Sequence, residues 1–593
     1  MRFPRWLTVA LMGLIVLGVV FRFVNLNHKV YWHDEVYTSL RAAGYTRAEI
    51  DQDVFQNQEI PAIALQRYQQ IKPGSTAADT VRSLAVEDPQ HPPLYFLMTR
   101  AWMQTLGEPL TAWFKSPLSV TRSLPALLSL LALPAMYGLA WELFASESVA
   151  LLATTLIALS PYDVLFAQTA RQYSLLTVMV ILSSYLLLRA IRILQADTIH
   201  SSTSKRNVTR HLITWLNWGL YALSLTVGLY TQPFFALTMV SHAVYVAACY
   251  YWNPHWRKDG WLIWRFCFGA IATAILLFSP WLMVILTNWQ RATATTNWTQ
   301  VSPGLDYLIK LWILSFTAVF IDLDFGFENP LTILLRVPFL ILIGLSIYQL
   351  CRRTPITIWL FVVVSIAVPF LLLAIPDLVL GGKRSAVSRY LVSCYPGIQL
   401  AVAYFLTTQL AMKRIYSGRS PSLTRQRTPY SLRSAPHHIW QSWFWRVLLA
   451  LLVISSLVSL TASALAFSWW NKDLSFANHQ TADLLNQKPN PIVMSDVGID
   501  YTNTGDLISL SYLLKPDTPL LLLKSADFVG TTEFDQKVQE KTAIAFRPSP
   551  SLQEALQQKF GQSTQILKAE RLWQVPTIPI QKPLKTENRN KKD

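Results

Sequence analysis

Apolar runs long enough to cross a bilayer recur along this chain, separated by short polar segments. A spanning helix needs about 20 mostly apolar residues. Such runs fall at about 6–24, 118–141, 149–166, 173–193, 212–231, 234–252, 265–287, 331–350, 355–375, 390–411 and 446–469, which predicts eleven membrane helices. Two further apolar stretches, 94–106 with its internal Arg100 and 307–322, are too short to span and are expected to lie along the membrane surface. From about 471 the pattern changes. Short apolar runs at 491–494, 520–523 and 543–546 alternate with helical periodicity such as 551–560, which predicts a small soluble α/β domain.

Composition agrees with a polytopic membrane protein. Only 14% of the 593 residues are charged and 52% are hydrophobic, where soluble chains carry roughly a quarter charged. The net charge of +17 does not point to nucleic acid, because the basic residues sit in short loops between apolar runs. Arg2 and Arg5 precede the first run. Lys205, Arg206 and Arg210, then Arg257 and Lys258, then Arg352 and Arg353 follow in alternate loops, and 412–445 adds six Lys and Arg by residue 433 with no acid. The positive-inside rule places these loops and the N-terminus in the cytoplasm. No small-x-small site follows the first run, so it is expected to remain as a helix rather than be cleaved. Loops 25–117 and 288–330 and the C-terminal segment then face the extracytoplasmic side of the plasma (inner) membrane. The expected organisation is a membrane domain over 1–470, a flexible basic cytoplasmic loop at 412–445, the α/β domain at 471–584 and a disordered tail at 585–593. Cys249, Cys267, Cys351 and Cys394 lie in or beside apolar runs, so neither a disulfide nor a thiolate metal site is expected.

Candidate chemistry gathers in the outward loops. The segment 30–41, VYWHDEVYTSLR, places Asp34 and Glu35 just after the first apolar run. Carboxylates at a membrane boundary are costly to desolvate, and a helix needs none there for anchoring. Both also suit the first turn of a helix, as cap and dipole partners, and Glu35 reads equally well as an orienting or capping residue. The same side holds His91 before Pro92-Pro93, Arg122, Arg171 and Tyr173 of ARQY, and Lys383, Arg384, Arg389 and Tyr390. Arginine forks and lysine charges suit a phosphate, and a nearby carboxylate can take a proton from an acceptor hydroxyl. No Walker-type loop and no dinucleotide glycine pattern is present. Asp322, Asp324 and Glu328 read as a solvated turn, so no metal site is assigned.

The ordered series WHDE, HPPLYFL, TRSLPALLSLLALPAMY, ALSPYDVLFAQTARQYSLL and SRYLVSCYPGIQLA resembles the GT-C glycosyltransferases. The closest likeness is to protein O-mannosyltransferases and their bacterial relatives, the aminoarabinose and galacturonic acid transferases that modify lipid A. The resemblance covers about 1–195 and 384–405 and leaves the segment from 471 unmatched. It implies an all-α polytopic fold of GT-C type, a polyprenyl-phosphate sugar donor, inversion at the anomeric carbon and an outward-facing site. It further implies Asp34 as the catalytic carboxylate, His91 near the donor phosphate, and Arg122, Arg171, Tyr173, Arg389 and Tyr390 around the lipid phosphate. This chain has no Asp closely after Arg171, where some relatives carry one, which leaves use of a divalent cation open. The expected partners are the lipid-linked sugar, a lipid, glycan or protein acceptor, and the surrounding membrane lipids. The rival is a transporter or flippase of lipid-linked sugars, which would need the cations but not Asp34.

Overall fold

The computed structural model describes residues 2–114, 116–199, 207–253, 260–323, 325–411, 439–498, 503–569 and 571–576. Most of the expected flexible loop 412–445, all of the expected tail 585–593, and Asp324 lie outside the described residues. The chain divides into two compact units. One, here the membrane unit, holds 1–29 and 73–469; the other, the α/β unit, holds 30–72 and 470–593.

In the membrane unit and its C-terminal continuation, eight described helices are long and apolar enough to cross a membrane. A ninth expected span is broken: Glu147–Ala158 and Pro161–Ala167 meet at 55°. Pro161 explains the break, since proline offers no N–H and its ring clashes with the preceding turn. The other two expected spans are shorter helices, Arg5–Phe21 of 17 residues and Tyr395–Leu410 of 16. The latter is buried continuously from Tyr395 to Thr407, which accounts for apolar residues on all its faces. The stretch expected at 94–106 extends to a 21-residue helix, Leu94–Phe114, and the one expected at 307–322 is the 13-residue helix Leu305–Thr317. Arg100 is buried, and its guanidinium donates to the Ser75 carbonyl at 2.7 Å and to Ser75 Oγ at 3.0 Å.

Close helix approach in this unit relies on a missing side chain. A Cβ on Gly18 would lie 2.3 Å from the Ala158 carbonyl oxygen, so nothing larger than glycine fits there.

The α/β unit is built on one six-stranded sheet. Its strands are β1 (Gln58–Pro61), β2 (Pro491–Ser495), β3 (Pro519–Leu522), β4 (Thr542–Phe546), β5 (Thr564–Leu567) and β6 (Leu572–Gln574), in the order β1-β3-β2-β4-β6-β5. β2 pairs in parallel with both β3 and β4, while β1, β5 and β6 join antiparallel at the edges. The three parallel strands are short apolar runs, buried from their second residue onward, as strands covered on both faces require. Helices Asn503–Ser511 and Thr532–Val538 fall between β2 and β3 and between β3 and β4. Ile492, Met494, Leu521, Phe534, Ala545 and Leu552 form the centre of its core.

The expected division places the whole first outer loop in the membrane domain. Residues 30–72 of the first outer loop belong to the same unit as the C-terminal segment. The contact is an antiparallel ladder: Gln58 to Pro61 pair one for one with Leu522 to Pro519, and Asn57 N–H donates to the Leu522 carbonyl at 2.9 Å. The sequence QEIP carries little strand signal because it forms an exposed sheet edge, where polar residues and proline are tolerated.

Candidate active site

Within the α/β unit, WHDE opens the helix His33–Ala43. Trp32 holds the position before the first turn in an extended conformation, and Gly44 ends the helix with φ 92°. Asp34 and Glu35 are adjacent in sequence but differ in setting. Asp34 is half-buried, whereas Glu35 is fully buried. The Glu35 carboxylate accepts the Trp32 backbone N–H at 3.1 Å and Lys472 Nζ at 2.6 Å. Lys472 is equally buried and sits 5.9 Å from the centre of the Trp32 ring. A carboxylate occupied by an N-terminal cap and a buried ammonium is a structural group. Of the two candidate carboxylates, Asp34 is the one with access to solvent.

His33 is fixed on the other side. Its backbone N–H donates to Ser475 Oγ at 2.9 Å, and its ring Nδ1 lies 3.3 Å from Asp506 Oδ2. Asp506 is fully buried, accepts Ser475 Oγ at 2.7 Å and is paired with Arg547. Asp506 stands on the helix Asn503–Ser511, which approaches closely because Gly505 has no Cβ; one placed there would fall 2.7 Å from His33 Nδ1. Burial alone works to raise the Asp506 pKa. Arg547, His33 and Ser475 outweigh it and hold the carboxyl below its ordinary 3.8. Its contribution to stability is therefore present above pH 3.8 and is lost as the pH falls through the lower folded value. Acid unfolding followed by tryptophan fluorescence should show this slope in the wild type. Asp506→Asn should be less stable at neutral pH and flatter in acid; an unchanged slope would remove Asp506 as its source.

In the membrane unit, the other candidates occupy helix termini. Arg171 precedes the helix Tyr173–Ile199, and His91 precedes Leu94–Phe114. An Arg171 terminal nitrogen lies 3.3 Å from His91 Nε2. Guanidinium has no acceptor, so it donates. On the other side of the ring, the Gln172 amide nitrogen lies 3.4 Å from His91 Nδ1. Gln172 in turn bonds Gln232 at 2.9 Å. Two residues on, Phe234 stacks on Tyr390 with centroids 4.3 Å apart. Arg389 lies over the Trp298 ring at 5.4 Å, and Lys383 lies over the same ring at 5.3 Å. His91, Arg171, Tyr390, Arg389 and Lys383 thus belong to one connected series. Gln172, Gln232, Phe234 and Trp298 provide the links, and nothing in the sequence pattern marked them as linking residues, since each looks like an ordinary interface residue.

Three candidates lie outside this series and have other contacts. Arg122 is fully buried and donates to the Leu26 carbonyl at 2.8 Å and the Lys29 carbonyl at 3.0 Å, so it holds the chain leaving the first helix. Tyr173 is buried edge-on against Phe166, with centroids 5.0 Å apart. Arg384 lies 3.7 Å from the buried Asp377, which also accepts the Ser385 N–H at 2.6 Å. Gly382 (φ 139°) makes that turn feasible, because a Cβ there would fall 2.7 Å from Asp377 Oδ1. Asp322 accepts Trp469 Nε1 at 2.9 Å and lies 3.8 Å from Arg336. Among the described residues no three His, Cys, Asp or Glu side chains gather as a metal-binding group.

No protein-family model matches the chain, and no curated protein matches it in sequence. Among solved structures, the chain is similar to ArnT from Cupriavidus metallidurans bound to undecaprenyl phosphate. That likeness has a TM-score of 0.48 at 12% identity and covers 96% of this chain and 98% of that one. It is also similar to the oligosaccharyltransferase AglB from Archaeoglobus fulgidus in complex with an inhibitory peptide and a dolichol-phosphate. There the TM-score is 0.42 at 12% identity, over 98% of this chain and 76% of that one.

Proposed function

We propose that this protein is a membrane glycosyltransferase that moves a sugar from a polyprenyl-phosphate donor to an acceptor at the extracytoplasmic face, with inversion. The observation that carries this reading is the connected series from His91 and Arg171 to Arg389 and Lys383 at the helix ends of a polytopic unit. Cations and hydrogen-bond donors at a helix-bundle mouth match a phosphate whose isoprenoid chain stays in the bilayer. Arg171 and Arg389 hold the phosphate, His91 and Lys383 assist, and the same charges stabilise it as a leaving group. Asp34 takes the proton of the acceptor hydroxyl, and Glu35 supports it. Arg122, Tyr173 and Arg384 shape the surrounding backbone.

The test is transfer by purified protein from labelled polyprenyl-phosphate sugars to membrane extracts. Wild type should transfer one of the donors. Arg171→Ala and Arg389→Ala should each raise KM for that donor by about 10-fold or more, the usual scale for a hydrogen bond to a charged group. Unchanged KM in both would remove the phosphate assignment. Movement of the lipid-linked sugar across vesicles with no transfer of sugar would favour the transporter instead.

A further inference from the structure

Beyond Glu35, the α/β unit contains a buried charge network to which the proposed chemistry gives no role. It lies under the two residues flanking Asp34. Glu35 is held by Lys472 at 2.6 Å, and His33 by Ser475 at 2.9 Å and by contact with Asp506 at 3.3 Å. Asp506 is itself fixed by Ser475 and Arg547, and Arg547 also donates to the Leu474 carbonyl. All the holding groups come from residues 472–547, more than 400 positions after the segment they hold. Tyr31 is tied in the same way: its carbonyl accepts Ser509 Oγ. Glu35, Lys472 and Asp506 are all fully buried.

We infer that the C-terminal segment positions the proposed base, with Lys472 as the principal positioning residue, acting on Asp34 through Glu35. The inference rests on Asp34 being the base. Its physical logic is that a buried ion pair with a satisfied second acceptor site adds little net stability. Replacing such a pair by apolar groups is often neutral or stabilising. What the pair does supply is direction: ammonium and carboxylate meet in one geometry, whereas apolar groups slide. A helix N-terminus carrying a reactive carboxylate needs direction, because a displacement of about 1 Å can cost on the order of 100-fold in rate. The network thus gives the α/β domain a role in the reaction without contact with the reacting atoms.

The experiment compares Lys472→Met, the neutral pair Glu35→Gln/Lys472→Met, and Asp34→Asn in the full-length protein. The donor is the labelled polyprenyl-phosphate sugar that wild type turns over, and binding of undecaprenyl phosphate alone is measured in parallel. Lys472→Met should lower kcat by about 30-fold, within the scale of such displacements, with KM and undecaprenyl phosphate binding within twofold. The neutral pair leaves no buried charge unpaired and keeps an acceptor for the Trp32 N–H, so it remains folded if the single variant does not. It should lower kcat at least fivefold at unchanged KM, and backbone amide exchange at residues 32–36 should rise. Unchanged kcat and exchange in the neutral pair would overturn the inference, and so would a parallel rise in KM. An inactive Asp34→Asn beside an unaffected neutral pair sinks the positioning role alone. An active Asp34→Asn sinks the base itself, and the inference with it.

Discussion

Replacing Asp34 by Asn is expected to lower sugar transfer by roughly 1,000-fold, within the 10²–10⁴ range of a positioned general base. The change keeps shape and removes the negative charge and with it the capacity to take a proton. Asp34 is half-buried and asparagine matches its size, so the melting temperature should fall far less than for a change at the fully buried Glu35. Binding of polyprenyl phosphate should also remain, because the cations assigned to it belong to a different unit of the chain. The neighbouring Glu35→Gln is the sharp control. It takes a buried carboxylate from between Lys472 and the Trp32 N–H and leaves the ammonium without its charge partner. Its chief effect is on stability, by about 3 kcal/mol on the scale of a broken buried pair. The two adjacent acids therefore differ in signature: Asp34→Asn loses rate with stability kept, whereas Glu35→Gln loses stability together with the smaller kcat loss expected of the positioning pair. A transporter would show neither the rate loss in Asp34→Asn nor any sugar transfer by wild type.

The sequence conveys the helical architecture well, because hydrophobic period and loop charge are local properties. It also marks the parallel strands at 491–495, 519–522 and 542–546, whose apolar runs need no partner to be recognised. It fails where identity depends on a distant partner. Gln58–Pro61 is a strand only because 519–522 supplies its ladder. Glu35 is a structural carboxylate only because Lys472 reaches it from 437 positions away. Arg122 looks like a phosphate ligand until the Leu26 and Lys29 carbonyls are seen to accept its guanidinium. Cations at membrane edges look alike in sequence; their partners separate a backbone clamp from a ligand site. The candidate site was legible as a set of residue types, while the links through Gln172, Gln232, Phe234 and Trp298 were not, since glutamine and aromatic residues at helix ends are common in any membrane protein.

Arg22 carries the second large expectation, and it concerns the fold beneath the cation series. It is fully buried. Its Nε donates to Ser129 Oγ at 3.0 Å, one terminal nitrogen donates to the Gly18 and Ala158 carbonyls at 2.7 Å each, and the other donates to the Ile157 carbonyl at 3.0 Å. Ile157 and Ala158 close the helix Glu147–Ala158, whose last carbonyls have no intrahelical donors because the chain breaks there before Pro161. Arg22 is thus a C-cap supplied from another helix, with its charge at the favourable end of the dipole. The adjoining cavity, lined by Arg22, Ser129 and Asp163, has a volume of about 10 Å³, room for about one water. Solvent cannot replace four hydrogen bonds there. Arg22→Met should destabilise the protein by about 4 kcal/mol, the scale of several unsatisfied buried acceptors, and Arg22→Lys by less, since it keeps the charge but not the fork. Thermal unfolding in detergent measures both; equal stability of all three proteins would refute the cap. The damage should also reach function. Beyond the broken helix, Gln168 donates to the Phe21 and Val24 carbonyls at 2.7 and 2.8 Å, and Arg171 follows three residues later. Loosening Arg22 therefore loosens the segment that presents Arg171, and at permissive temperature Arg22→Lys should raise KM for the lipid-phosphate donor before it lowers kcat.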